Sequence, residues 1–126
     1  MSENVDTIQD LYAAFGRGDI PAVLAGFTSD VEWKSPKSIF GDAAHATGPE
    51  AVGAFFSRLP GYFPELQVEP REFVDGGATV VALGHHVGRG AKGPFDADFV
   101  HIWSFSGGKV TSFREVADTA LITAAL

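Results

Sequence analysis

Four histidines and sixteen acidic side chains stand against nine basic ones and no cysteine in this 126-residue chain. Without a thiol there is no cysteine nucleophile, no zinc-thiolate site and no disulfide frame. Acid–base chemistry at imidazole and carboxylate is what remains. Two such groups, His101 and Glu115, lie in one run, PFDADFVHIWSFSGGKVTSFREVAD, from Pro94 to Asp118. At the two-residue period of a strand, Phe95, Ala97, Phe99, His101, Trp103 and Phe105 share one face, and Asp96, Asp98, Val100, Ile102 and Ser104 share the other. That sets one histidine in an aromatic wall, where the plain reading is a core imidazole with its ring nitrogens bonded. Glu115 sits among Phe and Ala, and a carboxylate so placed needs a partner or a raised pKa. Such a group suits proton transfer near neutral pH, and its plainer role is a salt bridge to a nearby arginine.

The remaining candidates carry less. His85 and His86 are neighbours on a strand and point to opposite faces, so they cannot share one metal, and no other ligand spacing appears; no metal or cofactor is expected. Which of His85, His86 and His45 enters a site is open. Gly88-Arg89-Gly90-Ala91-Lys92-Gly93 matches G-x-G-x-x-G, yet Pro94 and a strand follow where a nucleotide fold needs a helix, so it reads as a turn. Arg114 and Asp118 read as a structural ion pair at the start of the last helix. Trp33, Phe99, Trp103 and Phe113 make either plain core or a flat apolar lining suited to a ring-containing ligand. Tyr12 directs its hydroxyl toward the same place or simply packs.

The elements that position these residues follow from periodicity and punctuation. Val5, Ile8, Leu11, Tyr12 and Phe15 form one helical stripe that stops at Gly16. Asp19 caps a second helix, with Pro21 in its first turn and Ile20, Val23, Leu24 and Phe27 as its stripe. Val31, Trp33 and Ser35 alternate with Glu32 and Lys34 in a short strand that Pro36 ends. Residues 36–47 read as loop without regular structure. Thr47 and Glu50 have capping-box spacing before a third helix with Val52, Phe55, Phe56 and Leu59 on its stripe, ending at Pro60. A half-exposed strand at Leu66 and Val68 resumes at Phe73 and Val74 after Pro70, and Asp75-Gly76-Gly77 is a hairpin turn. Ala78 to Val87 is a long apolar strand. Asp118 to Leu126 forms a short capped helix. With helices first and hairpin-joined strands after, this is a single α+β domain over 1–126 with an antiparallel sheet.

The register of the last hairpin decides where Glu115 stands. A three-residue loop of Ser106, Gly107 and Gly108 pairs Phe105 with Lys109 and Phe99 with Glu115, making Glu115 a diagonal neighbour of His101. A two-residue Gly107-Gly108 loop puts Arg114 opposite His101 and sends Glu115 to the other face. Both stay open. In the three-residue register Val100, Ile102, Val110 and Val116 form an apolar strip on the outer face, which a twofold partner would cover; a homodimer is expected.

Composition narrows the partners. A net charge of −7 disfavours nucleic acid and anionic membrane surfaces. The opening MSENVDTIQD lacks the basic and apolar regions of a signal peptide, and no apolar run spans a bilayer, so a cytoplasmic location is expected.

The runs IQDLYAAFGRGDIPAVLAGF, VEWKSP, TGPEAVGAFF and FVHIWSFSGGKVTSFREVADTA together resemble the nuclear transport factor 2-like superfamily, in particular its ketosteroid isomerase-related, SnoaL-like group. The resemblance spans nearly the whole chain. It implies a cone-shaped curved antiparallel sheet wrapped over N-terminal helices, the cystatin-like α+β roll, with an apolar pocket and dimer pairing through the outer sheet face. Tyr12, Trp33, Ser35, Phe56, Phe99, Trp103 and Phe113 are then the expected lining. In ketosteroid isomerase an aspartate base works beside an oxyanion hole of a tyrosine and a protonated aspartate; by alignment those positions fall on Ser35, Leu11 and His101, all three replaced. SnoaL-like polyketide cyclases are closer, with an acid on the last strand beside a histidine on the strand next to it, positions that resemble Glu115 and His101. The expectation is a small cofactor-free isomerase or cyclase acting on a hydrophobic carbonyl compound, Glu115 shuttling a proton and His101 bonding the enolate oxygen. A ligand-binding or dimerisation module without chemistry is the alternative, and a dehydratase using His101 with His86 or His45 a weaker one.

Overall fold

Val5, Ile8, Leu11 and Ala14 are buried along one side of α1 (Glu3–Gly16), as their three-and-four spacing demands. The computed structural model describes residues 3–126; Met1 and Ser2, the first of the acidic opening, lie outside them. Asp19 caps α2 (Ile20–Leu24), its carboxylate accepting from the Ala22 N–H at 3.2 Å. Phe27 is not on this helix. The Gly26 carbonyl accepts from the Val110 N–H at 2.9 Å, which draws the chain into the sheet and makes Phe27 the first residue of β1 (Phe27–Lys34).

Residues 36–47 are more regular than their composition implies. They form α3 (Lys37–Phe40), a 3-10 turn (Gly41–Ala44) and β2 (His45–Thr47). Phe40 and Ala44 are buried, and the Phe40 ring meets those of Phe55 and Tyr62 edge-on with centroids 5.0 Å apart. Phe40 and Ala44, with Ile39, Ala43 and Ala46 packed against the same core, anchor the segment. The Thr47–Glu50 capping box does not form, because Thr47 pairs in β2 and Gly48, at φ 86°, makes the turn into α4 (Pro49–Tyr62). That helix continues through Pro60 to Tyr62, where the Phe63 N–H closes on the Leu59 carbonyl at 2.8 Å.

Strands β3 (Glu65–Asp75), β4 (Thr79–Gly90), β5 (Gly93–Ser106) and β6 (Lys109–Ala117) follow, then α5 (Thr119–Ala125). The curved, open six-stranded sheet has the order β2-β1-β6-β5-β4-β3, antiparallel throughout except where β1 runs parallel to β6. The expected α+β architecture is present, helices packed against the inner sheet face. No described helix is long and apolar enough to cross a membrane.

The β5–β6 hairpin follows neither simple register. Its turn has two residues, Gly107 at φ 58° and Gly108 at φ 80°, so Ser106 pairs with Lys109 and Phe105 with Val110. Two consecutive left-handed residues are what a type I′ turn requires, and glycine adopts them freely. Thr111 is then an extra residue: beyond it Ser104 pairs with Ser112, Trp103 with Phe113 and His101 directly with Glu115. The cause lies in spacing. Val110 and Phe113 are both buried, yet three residues apart no straight strand can put them on one face, and a bulge at Thr111 does. Val110 therefore belongs to the core and not to the outer strip expected of it.

A buried imidazole and carboxylate site

On β5 the alternation holds without a break: Phe95, Ala97, Phe99, His101, Trp103 and Phe105 are all buried. His86 on β4 pairs with Ala97 of β5, which turns its ring inward, while His85 beside it points to the opposite face, where it too is buried. Glycines hold the inner face of β4 open on both sides of His86. A methyl group at Gly84 would stand 2.8 Å from Phe99 Cζ, and one at Gly88 2.9 Å from Phe95 Cζ. The aromatic rings of β5 thus lie against bare backbone, and His86 is the one large side chain on that stretch of β4.

Glu115 joins the two inward histidines. His101 Nε2 is 2.6 Å and His86 Nε2 is 2.5 Å from the same oxygen, Glu115 Oε2. On its other side His101 Nδ1 is 2.6 Å from the Tyr12 hydroxyl, and the Trp103 indole N–H donates to that hydroxyl at 3.1 Å. Burial pushes the Glu115 carboxyl up, but the hydrogen bonds from His101 and His86 lead the opposing effects, which leave the carboxyl at about 2. Burial pushes His101 down, and the Glu115 contacts only partly offset it. Tyr12 is held well above the usual phenol range, chiefly by burial.

These states and the partners present assign the protons shared along the chain of bonds. An ionised carboxylate only accepts, so both Nε2 atoms carry hydrogen. A neutral His101 then has a bare Nδ1, which accepts from the Tyr12 O–H, while Tyr12 accepts from Trp103. The chain of donors runs from Trp103 to Tyr12 to His101 to Glu115, with His86 donating to Glu115 from the far side. His86 Nδ1 is left over. It is buried and has no partner.

The site forms part of the wall of a cavity of about 90 Å³. Tyr12, Trp33, Ser35, Phe56, Trp103 and Phe113 line it together with His86, His101 and Glu115. Phe99 does not; it lies behind the histidines, its ring stacked on His101 at 3.8 Å and tilted against His86 at 4.6 Å. Trp33 stacks on Phe113 at 3.8 Å, and its indole N–H donates to Ser35 Oγ at 3.1 Å, which leaves the Ser35 O–H to donate elsewhere. Glu115 is the one carboxylate among the described lining residues, which include no lysine or arginine.

His86, His101 and Glu115 also have the atom types of a divalent-metal site, their donor atoms all within 4.8 Å of one another. The spacing fits a proton-linked triad better. Two donors bound at about 2.0–2.1 Å to a tetrahedral ion stand roughly 3.3 Å apart, whereas both imidazole nitrogens here are at hydrogen-bond distance from Glu115 Oε2.

The other expectations resolve outside the cavity. Arg114 pairs with Ile102, is exposed and does not meet Glu115. It does not pair with Asp118 either, whose carboxylate caps α5 at the Leu121 N–H. His45 bonds Glu32 at the exposed edge of β1 and β2 at 2.7 Å. His85, on the outer face, lies 2.6 Å from Asp96 and 3.0 Å from Glu69, and the Asp96 bond raises its pKa. The sequence named His86 only as one of three histidines open to entering the site and as a candidate second histidine of the dehydratase alternative. Its signal was the pattern Gly84-His85-His86-Val87-Gly88, two glycines flanking one histidine at the strand period, and it could have been read only with the inner face already known.

The comparisons agree with this architecture. An NTF2-like protein of unknown function from Burkholderia pseudomallei K96243 superposes with a TM-score of 0.91 at 34% identity, over 99% of this chain and 98% of that one. TerC, co-crystallized with polyporic acid, superposes with a TM-score of 0.90 at 30% identity, over 98% of each chain. IdmH of Streptomyces antibioticus, a candidate polyketide cyclase, shares the fold at a TM-score of 0.80 and 21% identity, over 97% of this chain and 96% of that one. No curated protein matches the chain. The SnoaL-like domain model matches residues 8–113, a span from the middle of α1 to Phe113 on β6 that takes in Tyr12, His86 and His101, and the chain belongs to the SnoaL-like domain family.

Proposed function

We propose that the protein is a cofactor-free enzyme that moves a proton next to the carbonyl of a hydrophobic, ring-containing small molecule, as an isomerase or cyclase. The observation that carries this reading is the buried Glu115 carboxylate clamped between two imidazoles on the wall of an otherwise apolar cavity. Such chemistry needs a base, a donor for the developing oxyanion and a dry site. The triad offers the base. The Ser35 hydroxyl, which already accepts from Trp33, keeps its own hydrogen for a carbonyl oxygen. TerC, 30% identical and co-crystallized with polyporic acid, supports a ring-containing ligand of the same general kind here.

The test is exchange of the α-protons of 2-tetralone in deuterated buffer, followed by NMR. Wild-type protein accelerates exchange, and Glu115→Gln lowers the rate by about a hundredfold or more, the usual range for loss of a positioned acid–base group. Binding without exchange for wild type, over a panel of such ketones, would make the protein a ligand-binding module instead. A dehydratase draws on the same triad, since loss of water from a β-hydroxy ketone starts with the same proton abstraction; the closeness of His86 and His101 favours keeping it as the second reading. Release of water from 4-hydroxy-2-tetralone distinguishes the two.

We also propose a homodimer through the outer sheet face, where Val100 and Ile102 are half-buried and Val116 is 48% exposed in the single chain.

A further inference from the structure

Proton transfer requires an atom that is free to take the proton, and most of the site is occupied. His101 uses both ring nitrogens, one on Tyr12 and one on Glu115. Glu115 Oε2 accepts from both histidines. The Tyr12 hydroxyl bonds His101 and Trp103. His86 is different. The residue is 8% exposed, its Nε2 is committed to Glu115, and its Nδ1 is one of two buried side-chain polar atoms without a partner among the described residues. A buried polar atom left unbonded carries an uncompensated desolvation cost, which a ligand group donating to it would relieve. The other such atom, Thr28 Oγ1, belongs to a residue that does not line the cavity.

We infer that His86 Nδ1 is the atom that takes the proton, and that the ligand of this cavity is an uncharged ring compound presenting an acidic C–H or O–H to it. This rests on the reading of the cavity as a proton-transfer site and goes beyond it by moving the base from Glu115 to His86. Glu115 becomes the group that orients His86 and balances its charge. In the step, the ligand's Cα–H bond breaks and a new N–H bond forms at Nδ1. The released pair makes the C=C bond of the enolate, and the carbonyl π pair moves onto oxygen. His86 is then an imidazolium held by the Glu115 carboxylate. Return of the same proton to another carbon of the ligand restores the neutral ring, so no co-reactant is needed. The ligand class follows from the wall: an anionic ligand finds no lysine or arginine there and meets the Glu115 carboxylate, and a ring fits between Trp33, Phe56 and Phe113.

Two measurements on the full chain decide it. Long-range nitrogen-15 NMR of the imidazoles, with His86 assigned by its disappearance in His86→Gln, is expected to show a protonated Nε2 and a bare Nδ1; a protonated Nδ1 in the resting protein overturns the inference. Binding of 2-naphthol against 2-methoxynaphthalene, which cannot donate, is expected to favour the naphthol about tenfold in wild type, the value of one bond to a buried acceptor, and to lose that preference in His86→Phe. Equal affinity for the two probes in wild type, or a preference that survives in His86→Phe, overturns it. If His86→Phe does not fold, the NMR result and the wild-type preference still decide. Exchange of 2-tetralone separates this inference from the reading it rests on. Exchange that survives in His86→Phe and is lost in Glu115→Gln leaves the proton-transfer reading standing and removes His86 as the base. Exchange lost in both supports His86.

Discussion

Replacing Glu115 with glutamine keeps the shape of the side chain and removes its charge. A carboxyl held at about 2 in place of an ordinary 4.5 stabilises the fold by about 3 kcal/mol near pH 7, because each tenfold change in proton affinity is worth about 1.4 kcal/mol. The folded value is depressed, so this stability is fully present above pH 4.5 and is lost as pH falls toward 2. Glu115→Gln should therefore cost about 3 kcal/mol at pH 7, or about 10 °C in Tm for a domain of this size. The gap between the two proteins should narrow to about 1 kcal/mol at pH 3, where the unfolded carboxyl is already neutral. Burial lowers the His101 pKa and the Glu115 contacts partly offset it, so the substitution moves that pKa further down. Thermal unfolding followed by circular dichroism from pH 3 to pH 8 reads the gap directly. A gap that stays constant over that range would mean that the cost is one of packing, and that no ionised carboxylate sits between the two imidazoles.

Tyr12→Phe removes the donor to His101 Nδ1 and the acceptor of the Trp103 N–H; urea unfolding should show a loss of about 1–3 kcal/mol, and a loss below about 0.5 kcal/mol would show that the hydroxyl is not part of the chain. Gly84→Ala places a methyl group 2.2 Å from the Glu69 carbonyl and 2.8 Å from Phe99 Cζ, so it should lower stability by about 1–3 kcal/mol through overpacking, with a matching fall in Tm; an unchanged Tm would show that β4 can shift away from Phe99. On the proposed dimer, light scattering should give twice the 13.3 kDa chain mass for wild type and the single-chain mass for Ile102→Lys, and a dimeric mutant would place the contact elsewhere.

Strand alternation, a local property, was legible in the sequence. The two-residue period of β5 put His101 and the aromatic residues on one face, and the structure buries that face from Phe95 to Phe105. Helix stripes and the Asp19 cap were legible for the same reason, since each depends on neighbours three or four residues away. The ordered segment from Lys37 to Thr47 was not, because its regularity rests on Phe40 and Ala44 finding distant partners in the core. Nor was the position of Glu115. Neither open register included a two-residue turn followed by an extra residue, and the bulge at Thr111 has no residue-type signature. It exists because Val110 and Phe113 must both face a core that only the assembled fold supplies. The parity of His85 and His86 belongs to the same class. Either histidine could have pointed inward until the pairing of β4 with β5 set His86 opposite Ala97. Sequence thus determined which residues travel together on one face of a strand. Tertiary pairing decided which faces meet, and so brought a glutamate from β6, a histidine from β4 and a histidine from β5 to one point, because register between strands is set by packing across the whole sheet and by no single segment in it.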